Sequence, residues 1–200
     1  MDAYHHGNLR RAVLDRALEV VAQDGPAALN LRAIAGDIGV SHTAPRYHFG
    51  GRRGVLTAIA TEGFETLRER LSRLREDGAP FLELGVAYVE FALDHPAHFA
   101  VMFDPGLLDT DDPAFVAASD AALAELRIGV DTLASPHAQE DAAAAVIAAW
   151  SLVHGLATLA LTGNLDRARI RDLVAGGDLS AITRRAAGML YGSPSHPDGA

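Results

Sequence analysis

The chain has 200 residues, enough for one large domain or for a small domain fused to a larger one. Hydrophobic residues make up 49% of it, which permits a sizeable core and argues against wholesale disorder; the absence of cysteine excludes disulfides, zinc–thiolate centres and cysteine nucleophiles. The net charge of −9 is unevenly placed: residues 1–56 hold seven Arg against five acids and residues 57–200 hold ten Arg against twenty-one, so a locally basic face is attached to an acidic body.

Alanine and leucine dominate and no long apolar–polar alternation occurs, so the pattern predicts an all-α chain of about nine helices. The first is expected over Asn8 to Asp24, with Leu9, Val13, Ala17, Val20 and Val21 on one face, and Gly25-Pro26 ends it. Asn30 is placed to cap a second, short helix, in which Leu31, Ile34, Ala35 and Ile38 fall at helical spacing. Gly39 breaks that helix. Ser41 is a suitable cap for a third, running to about His48, with Pro45 near its first turn. A longer helix is predicted from Arg52 to about Glu76.

Beyond Gly78 to Pro80, helices are expected at roughly 80–94, 96–103, 112–134, 138–162 and 166–190, the last interrupted at Gly176-Gly177. Ser135-Pro136 and Thr162 to Asn164 are read as loops, Asp104 to Pro113 as a mobile acidic connection, and residues 192–200 as a disordered tail. No signal peptide is recognised. Ala142 to Leu161 is strongly apolar but carries Ser151, His154 and Gly155, so it is read as a buried helix rather than a membrane span. A cytoplasmic protein without membrane attachment is the expectation.

The segment Leu31 to Leu56, LRAIAGDIGVSHTAPRYHFGGRRGVL, reads as a helix-turn-helix. Gly39 supplies the positive φ that the turn needs, Val40 fills the gap between the helices, and Ser41 starts the second. From Gly39 to Leu56 there are three Arg, two His and no acid. The second helix offers His42, Thr43, Arg46 and Tyr47, groups that read base edges or hold phosphates.

From Tyr4 to Gly63 the sequence resembles the TetR family of regulators. The resemblance rests on YHHGNLRRAVLDRALEVVAQDG, then LRAIAGDIGVSHTAPRYHF, then GGRRGVL, with the Gly-Val-Ser turn, the His48-Phe49 pair and a base three residues after Phe49. Two positions depart from the family pattern. Tyr usually stands two residues before the His-Phe pair; Arg46 stands there instead and Tyr47 follows, which leaves the phosphate contact open between them. The usual Lys after that pair is Arg52, which keeps the charge. The resemblance implies phosphate roles for His48 and Arg52. The candidate DNA-contact set is Asn30, Arg32, Ser41, His42, Thr43, Arg46, Tyr47, His48 and Arg52. Arg32 is equally readable as a solvated helix residue, and His48 as a packed helix end.

The stretch from Trp150 to Gly155, WSLVHG, resembles the effector domain of a subgroup of that family marked by Trp, His and Gly, and His95 to Phe99 is similar to the same subgroup. On the expected helix, Ile147, Ser151, His154 and Thr158 share one face, while Val146, Ala149, Trp150, Val153 and Ala157 form another. One face should meet the core and the other a cavity or second subunit. Phe64, Tyr88, Phe91, His95, Phe99, Met102, Phe103, Trp150 and His154 are the candidate effector-binding residues, and an aromatic lining suits a largely apolar molecule. Trp150 and His154 are also readable as core residues.

No metal site or cofactor is expected. His5-His6 are read as solvated, and His95 and His98 have only Asp94 nearby. No catalytic residue is assigned. Ser151 and His154 lack a third member and a nucleophile turn.

The resemblance thus implies a homodimer sealed by the helices near 138–162 and 166–190. Its DNA-binding domain would span 1–55 and its ligand-binding and dimerisation domain 56–191. It would be a repressor released from a palindromic double-stranded DNA operator by a small-molecule effector. Two other readings stay open: a small-molecule binding protein without a DNA role, and an all-α enzyme using His154.

Overall fold

The protein is described by a computed structural model covering residues 3–133, 136–169 and 178–191, with side chains described for residues 9–133, 138–169 and 178–190. Every regular element among these residues is helical. Eleven α-helices occur: α1 (Ala3–Asp24), α2 (Leu31–Asp37), α3 (Ala44–Phe49), α4 (Arg52–Glu76), α5 (Phe81–Asp94), α6 (Pro96–Met102), α7 (Pro113–Asp131), α8 (Pro136–Glu140), α9 (Ala142–Leu161), α10 (Asn164–Arg167) and α11 (Leu179–Tyr191). A 3₁₀ turn, Pro26–Ala28, precedes α2. The expected single helix over 138–162 is broken at Asp141, whose carboxylate accepts the Ala144 N–H at 2.9 Å and starts α9 as a separate helix. Pro136, expected in a loop, opens α8. The interruption expected at Gly176-Gly177 and the tail at 192–200 lie outside the described residues.

The chain divides into two units, neither of which is one continuous stretch. The first comprises Met1–Thr66 and His95–Asp120, the second Leu67–Asp94 and Ala121–Ala200.

In the first unit Val13, Ala17 and Val21 recur every four residues along α1 and are buried with Leu14. Ile34 and Ala35 of α2, Val55, Leu56, Ile59 and Ala60 of α4, and Val101 and Met102 of α6 complete this core. Gly54 is obligatory, because a Cβ there would lie 1.8 Å from the Phe49 carbonyl oxygen.

The acidic segment after α6, expected to be mobile, is held in place within this unit. Leu108 is buried. The Asp109 N–H donates to Thr57 Oγ1 at 2.9 Å, and Arg53 donates to the Gly106 carbonyl at 3.4 Å. Asp104 and Asp112 accept N–H groups of the residues that follow, forming the local turns that carry the segment into α7.

In the second unit α5 packs on α9 and α11. Ala145, Ala149, Val153, Ala157 and Ala160 form one buried stripe of α9, and their small side chains let α5 approach closely: a Cβ on Gly85 would meet Val153 Cγ1 at 3.2 Å. Trp150, placed with Ala149 and Val153 by the sequence pattern, is turned away from that stripe and is 41% exposed. Ile147, Leu159 and Leu161 are exposed as well. Among the described residues α9 is the one helix long and apolar enough to cross a membrane, by length and composition alone. Ion pairs bind the unit's surface: Arg75 to the buried Glu125 at 2.7 Å, Arg70 to Glu90 and Asp94, and Arg184 to Glu83.

Candidate nucleic-acid interface and effector-side residues

The helix-turn-helix is assembled from local hydrogen bonds. Asn30 Oδ1 accepts the N–H groups of Arg32 at 2.9 Å and Ala33 at 3.3 Å, capping α2 as its sequence position predicts. Gly39 has φ of +69°, a left-handed conformation that turns the chain out of α2, and the Val40 N–H closes the turn on the Ala35 carbonyl at 2.9 Å. α3 begins at Ala44 rather than Ser41. Ser41 instead bonds the Thr43 hydroxyl at 2.9 Å and accepts the Thr43 N–H at 3.4 Å, so a side-chain turn precedes the helix.

On α3, Pro45 is buried and anchors the helix. His42, Thr43, Arg46 and Tyr47 are exposed, Tyr47 by 83%, and Arg32 is exposed on α2. His48 and Phe49 are half-buried, and the Tyr47 and His48 rings meet edge-on at 5.4 Å. The structure therefore presents Ser41, His42, Thr43, Arg46 and Tyr47 together. It holds two other candidates differently. The Asn30 oxygen is engaged in its cap, and Arg52 Nη2 donates to the Pro26 carbonyl at 2.6 Å, tying α4 to the 3₁₀ turn.

The candidate effector residues fall into two groups, one in each unit. In the first, Phe64 meets Phe103 and Phe115 edge-on at 5.4 and 5.8 Å, and Phe99 meets Phe103 at 5.3 Å. Met102 packs on Gly63 of α4, and His95 stacks edge-on with His98 at 5.6 Å. In the second, Tyr88, Trp150 and His154 are joined. The Tyr88 hydroxyl lies 3.0 Å from His154 Nδ1, and the Trp150 indole N–H donates to it at 3.3 Å. Burial pushes the Tyr88 hydroxyl well up and holds His154 below the ordinary histidine value. Phe91 is fully buried in the same unit.

Two features escaped the sequence reading. Phe115 joins the first aromatic group; its place two residues after Pro113 in a helical pattern was the available signal. Arg11, Glu62 and His98 form a chain across α1, α4 and α6, with His98 Nε2 at 3.2 Å from Glu62 Oε1 and Arg11 Nη1 on Glu62 Oε2. Burial pushes the Glu62 carboxyl up, and the bonds from Arg11 and His98 outweigh it, so the group stays below the usual carboxylate range. Burial holds His98 below its ordinary value, although Glu62 works the other way. Among the described residues no group of three or more His, Asp or Glu side chains is placed to hold a metal ion.

The family described as "Tetracyclin repressor-like, C-terminal domain" matches residues 81–190. A protein of unknown function from Rhodococcus sp. RHA1 is 33% identical, with 96% of this chain and 97% of that one covered at a TM-score of 0.72. The uncharacterized HTH-type transcriptional regulator Rv0681 of Mycobacterium tuberculosis is 26% identical over 163 residues, 78% of this chain and 72% of that protein. The TetR family transcriptional regulator PfmR from Thermus thermophilus, at 17% identity, shares the fold with a TM-score of 0.64 over 92% of this chain and 99% of that one.

Together these define a DNA-binding, ligand-responsive transcription regulator, not an enzyme. The chain belongs to the TetR family.

Proposed function

We propose that this regulator is a cytoplasmic homodimeric repressor, released from a palindromic operator by a small, largely apolar molecule. The observation that carries the reading is the exposed face made by Arg46 and Tyr47 of α3 with His42 and Thr43 of the turn before it, in a stretch, residues 39–56, that contains no acid. DNA contact is assigned to residues 1–55, through Arg32, Ser41, His42, Thr43, Arg46, Tyr47 and His48, with Asn30 and Arg52 holding the frame. Effector binding and dimerisation are assigned to residues 56–191.

Exposed apolar side chains on the second unit support the dimer. Ile147 (62% exposed), Trp150, Leu159 and Leu161 on α9, and Met189 and Leu190 on α11, form a surface suited to a second copy. The two aromatic groups support an apolar effector. The effector would favour a conformation whose two heads are wrongly spaced for the operator, with a reciprocal coupling of about 1–3 kcal/mol.

The test is selection of duplexes by the purified protein from a genomic fragment pool, followed by affinity measurements across a salt series. A palindromic site bound with a steep negative salt slope is expected, and Arg46→Ala should weaken it by roughly 1–3 kcal/mol. Selection of no sequence would sink the reading. Sedimentation should give a dimer that Ile147→Glu converts to monomer.

A further inference from the structure

Three described arginines lie on α1, and two of them are engaged by carboxylates. Arg11 bonds Asp15 at 2.7 Å and reaches Glu62; Arg16 bonds Asp37 at 2.8 Å and Glu19 at 2.6 Å. Arg10 differs. Its guanidinium carbon lies 5.1 Å from the centre of the Phe49 ring, the side chain is exposed, and no carboxylate among the described residues pairs with it. Phe49 is the last residue of α3 and directly follows Arg46, Tyr47 and His48.

A guanidinium over an aromatic ring is held by the ring's electron-rich face, while its N–H donors lie in the guanidinium plane and point away from the ring carbons. The stack therefore fixes the position of the charge without using its hydrogen-bonding capacity. It also reduces the side-chain entropy lost when an anion binds. A paired arginine such as Arg16 would first have to leave its carboxylates.

We propose that Arg10 is a backbone-phosphate contact of the DNA interface, contributed by α1 and set in place by Phe49. The inference rests on the reading of α3 as the DNA-facing helix. In this arrangement Phe49 is a positioning residue: it touches no DNA itself and fixes where a cation from another helix stands relative to Arg46 and Tyr47. A phosphate contact carries no sequence information, so Arg10 adds affinity and register rather than base preference.

The experiment uses the full-length protein, the duplex that the wild type selects, and an unrelated duplex of equal length. Affinities are measured across a salt series for wild type, Arg10→Gln, Arg10→Lys and Phe49→Leu. Arg10→Gln is expected to reduce the salt slope by about one unit per protomer and to weaken both duplexes by the same factor. Arg10→Lys should keep the slope, because the charge remains. Phe49→Leu should weaken binding while retaining most of the slope, because the cation is present but no longer held.

An unchanged slope in Arg10→Gln would overturn the proposal and leave Arg10 as a cover for the Phe49 ring. If Arg10→Gln fails to fold by circular dichroism, Arg10→Met, which keeps an unbranched apolar side chain over the Phe49 ring and removes the charge, decides in its place: a slope reduced by about one unit supports the contact, and an unchanged slope overturns it. Wild-type protein that binds neither duplex would remove the DNA-facing reading of α3 itself, a failure distinct from that of Arg10.

Discussion

The hydroxyl of Tyr88 and Nδ1 of His154 lie 3.0 Å apart, although sixty-six residues separate them in the chain. The indole N–H of Trp150 only donates, so the Tyr88 oxygen accepts from it. The Tyr88–His154 bond joins a neutral hydroxyl to a neutral imidazole, and the imidazole tautomer sets which of the two donates. Burial raises the tyrosine and lowers the histidine, which favours this neutral pairing.

Tyr88→Phe removes the oxygen that both neighbours use. The expected loss is about 1–3 kcal/mol, read from urea unfolding. Trp150 is the sole tryptophan, so its emission reports the same change directly. An unaltered spectrum would mean that the indole makes no use of Tyr88 in solution.

Both His98 and His154 are held below the ordinary histidine value by burial. A lowered folded-state value means that the unfolded chain takes up protons first as pH falls. Stability is therefore full above about pH 6.5 and declines as pH drops below it, toward the folded-state values. Thermal midpoints measured from about pH 7.5 down to about pH 5.5, a range that brackets that value, should fall for the wild type and fall less for His98→Gln and His154→Gln. Glu62, held low, contributes a separate loss only in the carboxylate range.

Asn30→Ala removes a cap that satisfies two N–H groups. A destabilisation of about 1 kcal/mol is expected by denaturant titration. Operator affinity, measured well below the unfolding transition, should change little, because the Asn30 oxygen is engaged with α2. A large affinity loss without destabilisation would instead make Asn30 a DNA contact.

Gly54→Ala would drive a methyl group into the Phe49 carbonyl, 1.8 Å from the ideal Cβ position. Neither a helix backbone nor a carbonyl yields cheaply. The variant should lose about 1–3 kcal/mol, the range typical of an overpacked core site, and should lose operator binding. Wild-type melting behaviour would show that the α3–α4 junction relaxes more readily than its geometry implies.

Much of the head was legible because its signals are local. Asn30 caps within three residues, Gly39 turns within one, and α4 runs from Arg52 to Glu76 as its apolar spacing predicts. The break at Asp141 was hidden by the alanine-rich run that follows it, which continues the helical pattern of the preceding residues without a gap. Trp150 was misplaced because its neighbours Ala149 and Val153 are small: the closeness of α5, rather than hydrophobicity, decides which side of α9 is buried. Arg52 could not be linked to Pro26, nor Tyr88 to His154, since neither pairing has any periodic trace along the sequence.

The interleaving of the two units has an evolutionary and practical consequence. The stretch that carries the DNA-contact residues and the stretch that makes a complete core are not the same piece of chain. A fragment ending near residue 55 would keep the α3 face but would lack Ile59, Ala60, Val101 and Met102, which help to bury Val13 and Ala17. Such a head cannot be passed between genes as a simple cassette. Recombination that exchanges it must either carry α6 along or find a recipient whose own α6 already fits the donor's first helix.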